Sequence, residues 1–203
     1  VAPGAALVVD DAGDVGIGPN PKLAERVKAA DLLLLIGERM SEMASSSYTL
    51  LDIPGDGSKL VHVHPGAEEL NKVYLAGLGI LATPHAFAAA AADLPKPNAV
   101  SWAGTPRAAH ADYLAWSNPA KVRTAGDLQM AEVMAHLKEV MPADTVYCNG
   151  AGNYATWVHR FHRFRRFGTQ AAPTSGSMGY GLPAAVAAKQ LHPEREVICF
   201  AGD

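Results

Sequence analysis

Cysteine is nearly missing from this chain. Only Cys148 and Cys199 stand among 203 residues, too few for the disulfide frameworks that staple small secreted domains. Each lies in a short apolar run, so both read as buried, reduced side chains in a cytoplasmic protein. Long hydrophobic runs are also lacking: no stretch of 18 apolar residues occurs, and no segment reads as a membrane-spanning helix. The first residues are partly apolar but lack the basic n-region of a signal peptide. Positive charge is not in excess either. Seventeen Lys and Arg face 20 Asp and Glu, a formal net charge of −3, which supplies no basic field for a nucleic-acid backbone. Neither nucleic acid nor a membrane is therefore expected as a partner. What is present is ordinary for a globular protein: 49% hydrophobic and 18% charged residues, enough for a core of useful size.

Short apolar runs alternate with helical stripes. Asn20 suits a helix cap and Pro21 the first helical position, with Leu23, Ala24, Val27 and Ala30 on one face. Residues 32–36 form a continuous apolar run, which predicts a strand buried on both faces. Residues 38–58 read as loop. Residues 59–64 alternate as a second strand, followed by a short helix near 67–72, a strand at 77–82, and an Ala-rich helix from Pro84 to Asp93. Residues 95–125, punctuated by prolines, read as a linker in which only 102–117 can be helical. A second unit begins with a helix capped at Asp127, a strand over 144–148 and a helix over 154–165. An extended piece near 168–172, a helix ending at Leu191 and a strand at 196–201 complete it. The class is α/β with two parallel-sheet units, 1–94 and 126–203. The chain opens on Val and closes on a strand that feeds no crossover, so further sequence downstream of Asp203 is expected.

Chemistry concentrates in three loops at strand ends of the second unit. Gly150-Ala-Gly152-Asn153-Tyr154 lies between a strand and a helix. Its glycines let backbone N–H groups approach an anion, and a helix N-terminus favours negative charge; glycine turns are also common there without any ligand. Gly176-Ser-Met-Gly179-Tyr-Gly181-Leu-Pro183 makes a tight start to a helix. Within it Met178 is a core plug or a platform for a ligand ring, and its chemistry alone favours the plug. Gly202-Asp203 follows a buried strand, where a carboxylate can reach a hard cation on phosphate oxygens or act as an ordinary turn residue.

Gly176-Ser-Met-Gly-Tyr-Gly-Leu-Pro-Ala-Ala185 resembles the Gly-x-Met-Gly-x-Gly-Leu-Pro-Ala-Ala segment of acetolactate synthase and its thiamine-diphosphate-dependent relatives. Its spacing to Pro193-Glu-Arg-Glu-Val-Ile-Cys-Phe-Ala-Gly-Asp203 also matches. Gly152 to Trp157 is similar to the family's Gly-Gln-His-x-x-Trp, and Ala30-Asp-Leu-Leu-Leu-Leu-Ile-Gly-Glu-Arg39 with Lys59-Leu-Val-His-Val-His-Pro65 resembles its central domain. The resemblance implies two Rossmann-like units, the later part of a central domain and the start of a diphosphate-binding domain. It implies that Gly152, Asn153 and Tyr154 line the diphosphate, with Asn and Tyr replacing the family's Gln and His. Ser177 and Met178 would meet the aminopyrimidine and thiazolium, Gly202 would flank the metal motif, and Asp203 would be a Mg²⁺ ligand. The activating glutamate belongs to the family's N-terminal domain, so no catalytic residue is assigned here, and the remaining metal-binding Asn is expected beyond Asp203. On that ground the isolated chain is expected to be inactive and to bind cofactor poorly. The implied reaction is decarboxylation or carboligation of a small 2-keto acid by a homodimer or homotetramer. A benzoylformate- or oxalyl-CoA-type decarboxylase, or a non-catalytic nucleotide-binding relative, is the alternative. Central domains of such enzymes hold FAD, ADP or nothing; no flavin is expected here.

Three patterns invite other stories. His159-Arg-Phe-His-Arg-Phe-Arg-Arg-Phe167 mixes cations and aromatics as single-strand nucleic-acid binders do; the simpler reading puts Phe in the core and Arg and His in solvent. His62 and His64 share one face of a strand without a third ligand. Gly13-Asp-Val-Gly-Ile-Gly18 lacks the glycine order of a dinucleotide loop.

Overall fold

The computed structural model describes residues 12–16, 18–95, 98–100 and 102–202. Asp203, the expected metal ligand, lies outside them. The chain divides into two compact units after Leu114.

The first unit holds α1 (Pro21–Ala29), β1 (Leu33–Ile36), β2 (Leu60–His64), β3 (Leu78–Leu81), α2 (Pro84–Ala92) and most of α3 (Thr105–Trp116). Its strands form a parallel sheet of order β1-β2-β3, with Leu35 opposite His62 and His62 opposite Gly79. The cap expected at Asn20 is formed, and Thr83 caps α2. The Asn20 side chain accepts the Lys22 N–H at 3.1 Å, and Thr83 Oγ1 accepts that of Ala86 at 3.2 Å, satisfying N–H groups that have no partner inside the helix. Leu23 and Val27 of α1 pack against Leu35 and Leu60, with Met40, Ala44, Leu50 and Tyr74 closing the core. Removal of these side chains from water is the main force holding the unit together.

The expectation that β1 is buried on both faces fails. Leu35 is buried, but Leu34 and Ile36 are 40% and 41% exposed. β1 is an edge strand, and α2 packs on the central strand β2 without burying any of its own residues. A helix does form within residues 102–117, but its first part is not loose linker. Ala109 of α3 enters the first core. Asp112 accepts from Lys22 Nζ at 2.6 Å and Arg26 Nη2 at 2.8 Å, tying α3 to α1.

The second unit holds α4 (Met130–Val140), β4 (Val146–Asn149), α5 (Ala155–Phe161), β5 (Gln170–Ala171), α6 (Gly181–Leu191) and β6 (Val197–Phe200). Its sheet is parallel in the order β5-β4-β6. Every residue of β4 is buried, because alternate side chains meet different layers. Tyr147, with Ile198 and Phe200 of β6, joins Met134, Val158 and Phe161 of α4 and α5. Val146 and Cys148, with Val197 and Cys199, face Ala185 of α6. Both cysteines are unpaired, and burial pushes the Cys148 thiol up to about 11.

Two helix ends differ from expectation. α4 starts at Met130, not after Asp127. The Gln129 side chain accepts the Thr124 N–H at 2.9 Å and donates to the carbonyls of Thr124 and Gly126, holding residues 124–129 as a loop. α5 stops at Phe161 instead of residue 165. His162 turns extended and lays its ring on Tyr147, centroids 3.9 Å apart. The reading of Arg and His as solvated fails at that point: His162 is half-buried, and Arg160 stacks 3.5 Å over Trp116 while donating to its carbonyl. Phe167 goes the other way, 91% exposed.

Candidate functional site at the carboxyl edge of the second sheet

β4 is followed by α5 on one face of the sheet, and β6 is preceded by α6 on the other. The carboxyl ends of β4 and β6 lie side by side: Asn149 is in register with Phe200, and the Gly150 N–H donates to the Phe200 carbonyl at 3.3 Å. A crevice at such an edge is where open α/β sheets receive ligands.

Glycines line this edge, three of them crowded by the side chain of Tyr154. A Cβ on Gly150 would stand 2.6 Å from Tyr154 Oη, one on Gly152 2.5 Å from Tyr154 Cε1, and one on Gly202 2.9 Å from the same carbon. Gly181, first residue of α6, abuts backbone: its Cβ would lie 2.7 Å from Gly150 N and 2.9 Å from the Asn149 carbonyl carbon. The N–H groups of residues 151–154 have no acceptor among the described residues. They are the donors an anion would use. α5 is only seven residues long, so the loop amides, more than the helix dipole, carry this capacity.

Asn149 is a residue that sequence reading missed. It is 2% exposed; its Nδ2 donates to the Gly150 carbonyl at 2.9 Å, and its Oδ1 has no partner among the described residues. The available signal was a polar side chain closing an apolar strand just before Gly-Ala-Gly. A buried amide oxygen without a donor is costly unless something supplies one.

The remaining candidates fall into two groups. Gly152, Tyr154 and Gly202 meet around one aromatic ring, whereas Asn153 is exposed. Ser177 and Met178 lie in a loop exposed from 174 to 180, with Ser177 Oγ 2.9 Å from Ser175 Oγ. Met178 is 85% exposed, so it is no core plug. Gly176 and Gly179 take positive φ of 69° and 77°, turns that L side chains resist, and α6 buries Gly181 and Ala185, with Ala184 and Ala188 partly buried beside them.

In the first unit, His62 is buried, its Nε2 2.8 Å from the Glu38 carbonyl, and His64 Nδ1 accepts the Gly66 N–H at 3.0 Å. Burial lowers the His62 pKa. No group of three or more metal-ligating side chains forms among the described residues, and no helix among them is long and apolar enough to cross a membrane. A cleft of about 440 Å³ opens at the amino ends of β1 and β2, bordered by Leu33, Leu60 and Tyr74.

Comparison with known proteins matches residues 9–91 to the family described as thiamine pyrophosphate enzyme, central domain. Residues 150–203 match its C-terminal TPP binding domain. The acetolactate synthase large subunit of Parasynechococcus marenigrum (strain WH8102) is 24% identical over 87% of this chain and 28% of that protein. A sulfoacetaldehyde acetyltransferase of Alcaligenes xylosoxydans xylosoxydans is 24% identical over 95% of this chain and 36% of that protein. A benzoylformate decarboxylase of Pseudomonas aeruginosa (strain ATCC 15692) is 31% identical over 42% of this chain and 16% of that protein. The chain spans less than a third of the length of the acetolactate synthase subunits it matches.

Proposed function

We propose, on the premise that this chain belongs to the thiamine pyrophosphate enzymes, that it serves a thiamine diphosphate- and Mg²⁺-dependent 2-keto acid decarboxylase or carboligase of the acetolactate synthase type. One coincidence carries the reading. The stretch that matches the cofactor-binding domain begins at Gly150, where β4 gives way to amides without acceptors among the described residues and to glycines crowded by the Tyr154 side chain. That donor set suits a diphosphate.

In this reading the amides of residues 151–154 hold the diphosphate oxygens. Asn149 fixes the loop through the Gly150 carbonyl and offers Oδ1 to a donor. Ser177 and Met178 present an exposed hydroxyl and thioether to the rings of the cofactor. Gly202 keeps the end of β6 clear, and Asp203 supplies the carboxylate for Mg²⁺. When bound, thiamine diphosphate would supply a nucleophilic thiazolium carbon for the keto group and a ring able to accept the electron pair of the neighbouring carbon–carbon bond. Leu182 and Val186 face outward one helical turn apart on α6, 64% and 51% exposed, which favours burial in a homodimer or homotetramer.

Titration of the full-length protein with thiamine diphosphate and Mg²⁺, followed by turnover of pyruvate and of benzoylformate, tests the reading. Tight Mg²⁺-dependent binding with acetolactate formed from pyruvate is the expected result. Benzaldehyde from benzoylformate without a ligated product favours the decarboxylase alternative, which the similarity to the Pseudomonas enzyme supports. No thiamine diphosphate binding would sink both.

A further inference from the structure

Glycines from the ends of two neighbouring strands converge on a single ring. A Cβ at position 150 or 152 after β4, or at 202 after β6, would meet the Tyr154 side chain first, at 2.5–2.9 Å. That ring borders the loop whose amides, at residues 151–154, have no acceptor among the described residues. A phosphate oxygen must come within roughly 2.7–3.2 Å of an amide nitrogen to bond it. A phenol ring against the same glycines and a diphosphate cannot share that space. The backbone at Tyr154 is ordinary, φ −61° and ψ −26°, so the ring can leave by rotating its own side-chain torsions while β4 and α5 stay in place.

We propose that Tyr154 is an aromatic gate on the diphosphate cradle: without cofactor its ring fills the glycine-lined crevice, and thiamine diphosphate binds only when the ring swings out. This rests on the thiamine diphosphate reading above. The closed ring lowers the competent fraction, so the apparent affinity falls in proportion to that fraction. The ring matters and the hydroxyl does not, since the crowding at Gly152 and Gly202 comes from ring carbons.

Stopped-flow binding in the full-length protein with Mg²⁺, read by the fluorescence of Trp157 on α5, tests the gate. The observed rate for the native protein is expected to level off as thiamine diphosphate rises, because ring opening limits it. In Tyr154→Ala the rate should climb linearly and the Kd fall by about tenfold, while Tyr154→Phe keeps the plateau. A second measurement leaves the fold undisturbed: the ¹⁹F resonance of 4-fluorophenylalanine placed at 154 should move with thiamine diphosphate and stay put with thiamine, which lacks the diphosphate. A Tyr154→Ala variant that binds no faster and no tighter, or a ¹⁹F signal indifferent to the diphosphate, overturns the gate. If neither the native protein nor any variant binds thiamine diphosphate, the cofactor reading itself fails and takes the gate with it.

Discussion

In the first sheet, the end of the central strand is engaged by its own surroundings. Ala82 N–H donates to the His64 carbonyl, Gly37 N–H to the Val63 carbonyl, and both imidazoles of β2 have backbone partners. In the second sheet, β4 ends on a buried amide whose oxygen has no partner among the described residues. Each unit is built on a parallel sheet of three strands. The two edges therefore differ in a buried acceptor left unmet at the end of β4 and met at the end of β2.

That contrast can be tested by perturbing one unit and watching the other. The largest effect is expected from Met134→Ala, which empties a fully buried position between α4 and β4 and should cost about 4 kcal/mol. Urea unfolding followed at Trp157 should shift to lower denaturant while the signal of Trp102, in the first unit, holds; equal shifts would mean the units unfold as one. Next comes Gly181→Ala, whose methyl meets the backbone of residues 149 and 150 and should cost about 3 kcal/mol. Gly79→Ala in β3 meets only Leu70 Cδ1 at an ordinary 3.6 Å, so its cost should stay within about 0.5 kcal/mol. Similar melting temperatures for the two variants would erase the distinction between the edges.

A smaller effect follows pH. His162 is held down to about 4, first by burial and then by the charges of Arg165 and Lys138, whereas its ring in the unfolded chain titrates near the ordinary imidazole value of 6.5. The unfolded state therefore takes up the proton first as pH falls. Stability from this residue is full above pH 6.5, declines between 6.5 and 4, and levels off below. Allowing for its partial exposure, the loss is about 2 kcal/mol, and His162→Phe should flatten the profile for the second unit. The least effect is expected from Asp112→Asn. Arg26 and then Lys22 hold that carboxylate below its usual range, so its contribution is present above pH 3.8 and lost as the pH falls further. The pair is screened by salt, and a denaturation midpoint that changes only at low ionic strength is the outcome to look for.

The cap at Asn20 was legible because a cap and its helix are only a few residues apart. The start of α4 was not, because Gln129 closes a loop through several backbone contacts that no propensity encodes. Gly152, Tyr154 and Gly202 were named from motif spacing, yet their meeting around one ring was not visible, and Asn149 escaped notice altogether. Met178 is exposed where its chemistry alone favoured a plug, because an apolar side chain carries no mark of the direction its loop will take.

By itself the sequence determined the order of strands and helices and the parallel α/β class, since each follows from hydrophobic period and turn residues within a short window. Only the tertiary structure decided which glycines face the Tyr154 ring, which face of β1 is bare, and that His162 leaves α5 for Tyr147. Those outcomes depend on which surfaces are left to be covered once distant strands have paired. Burial is a property of the packed chain, and no local pattern contains it.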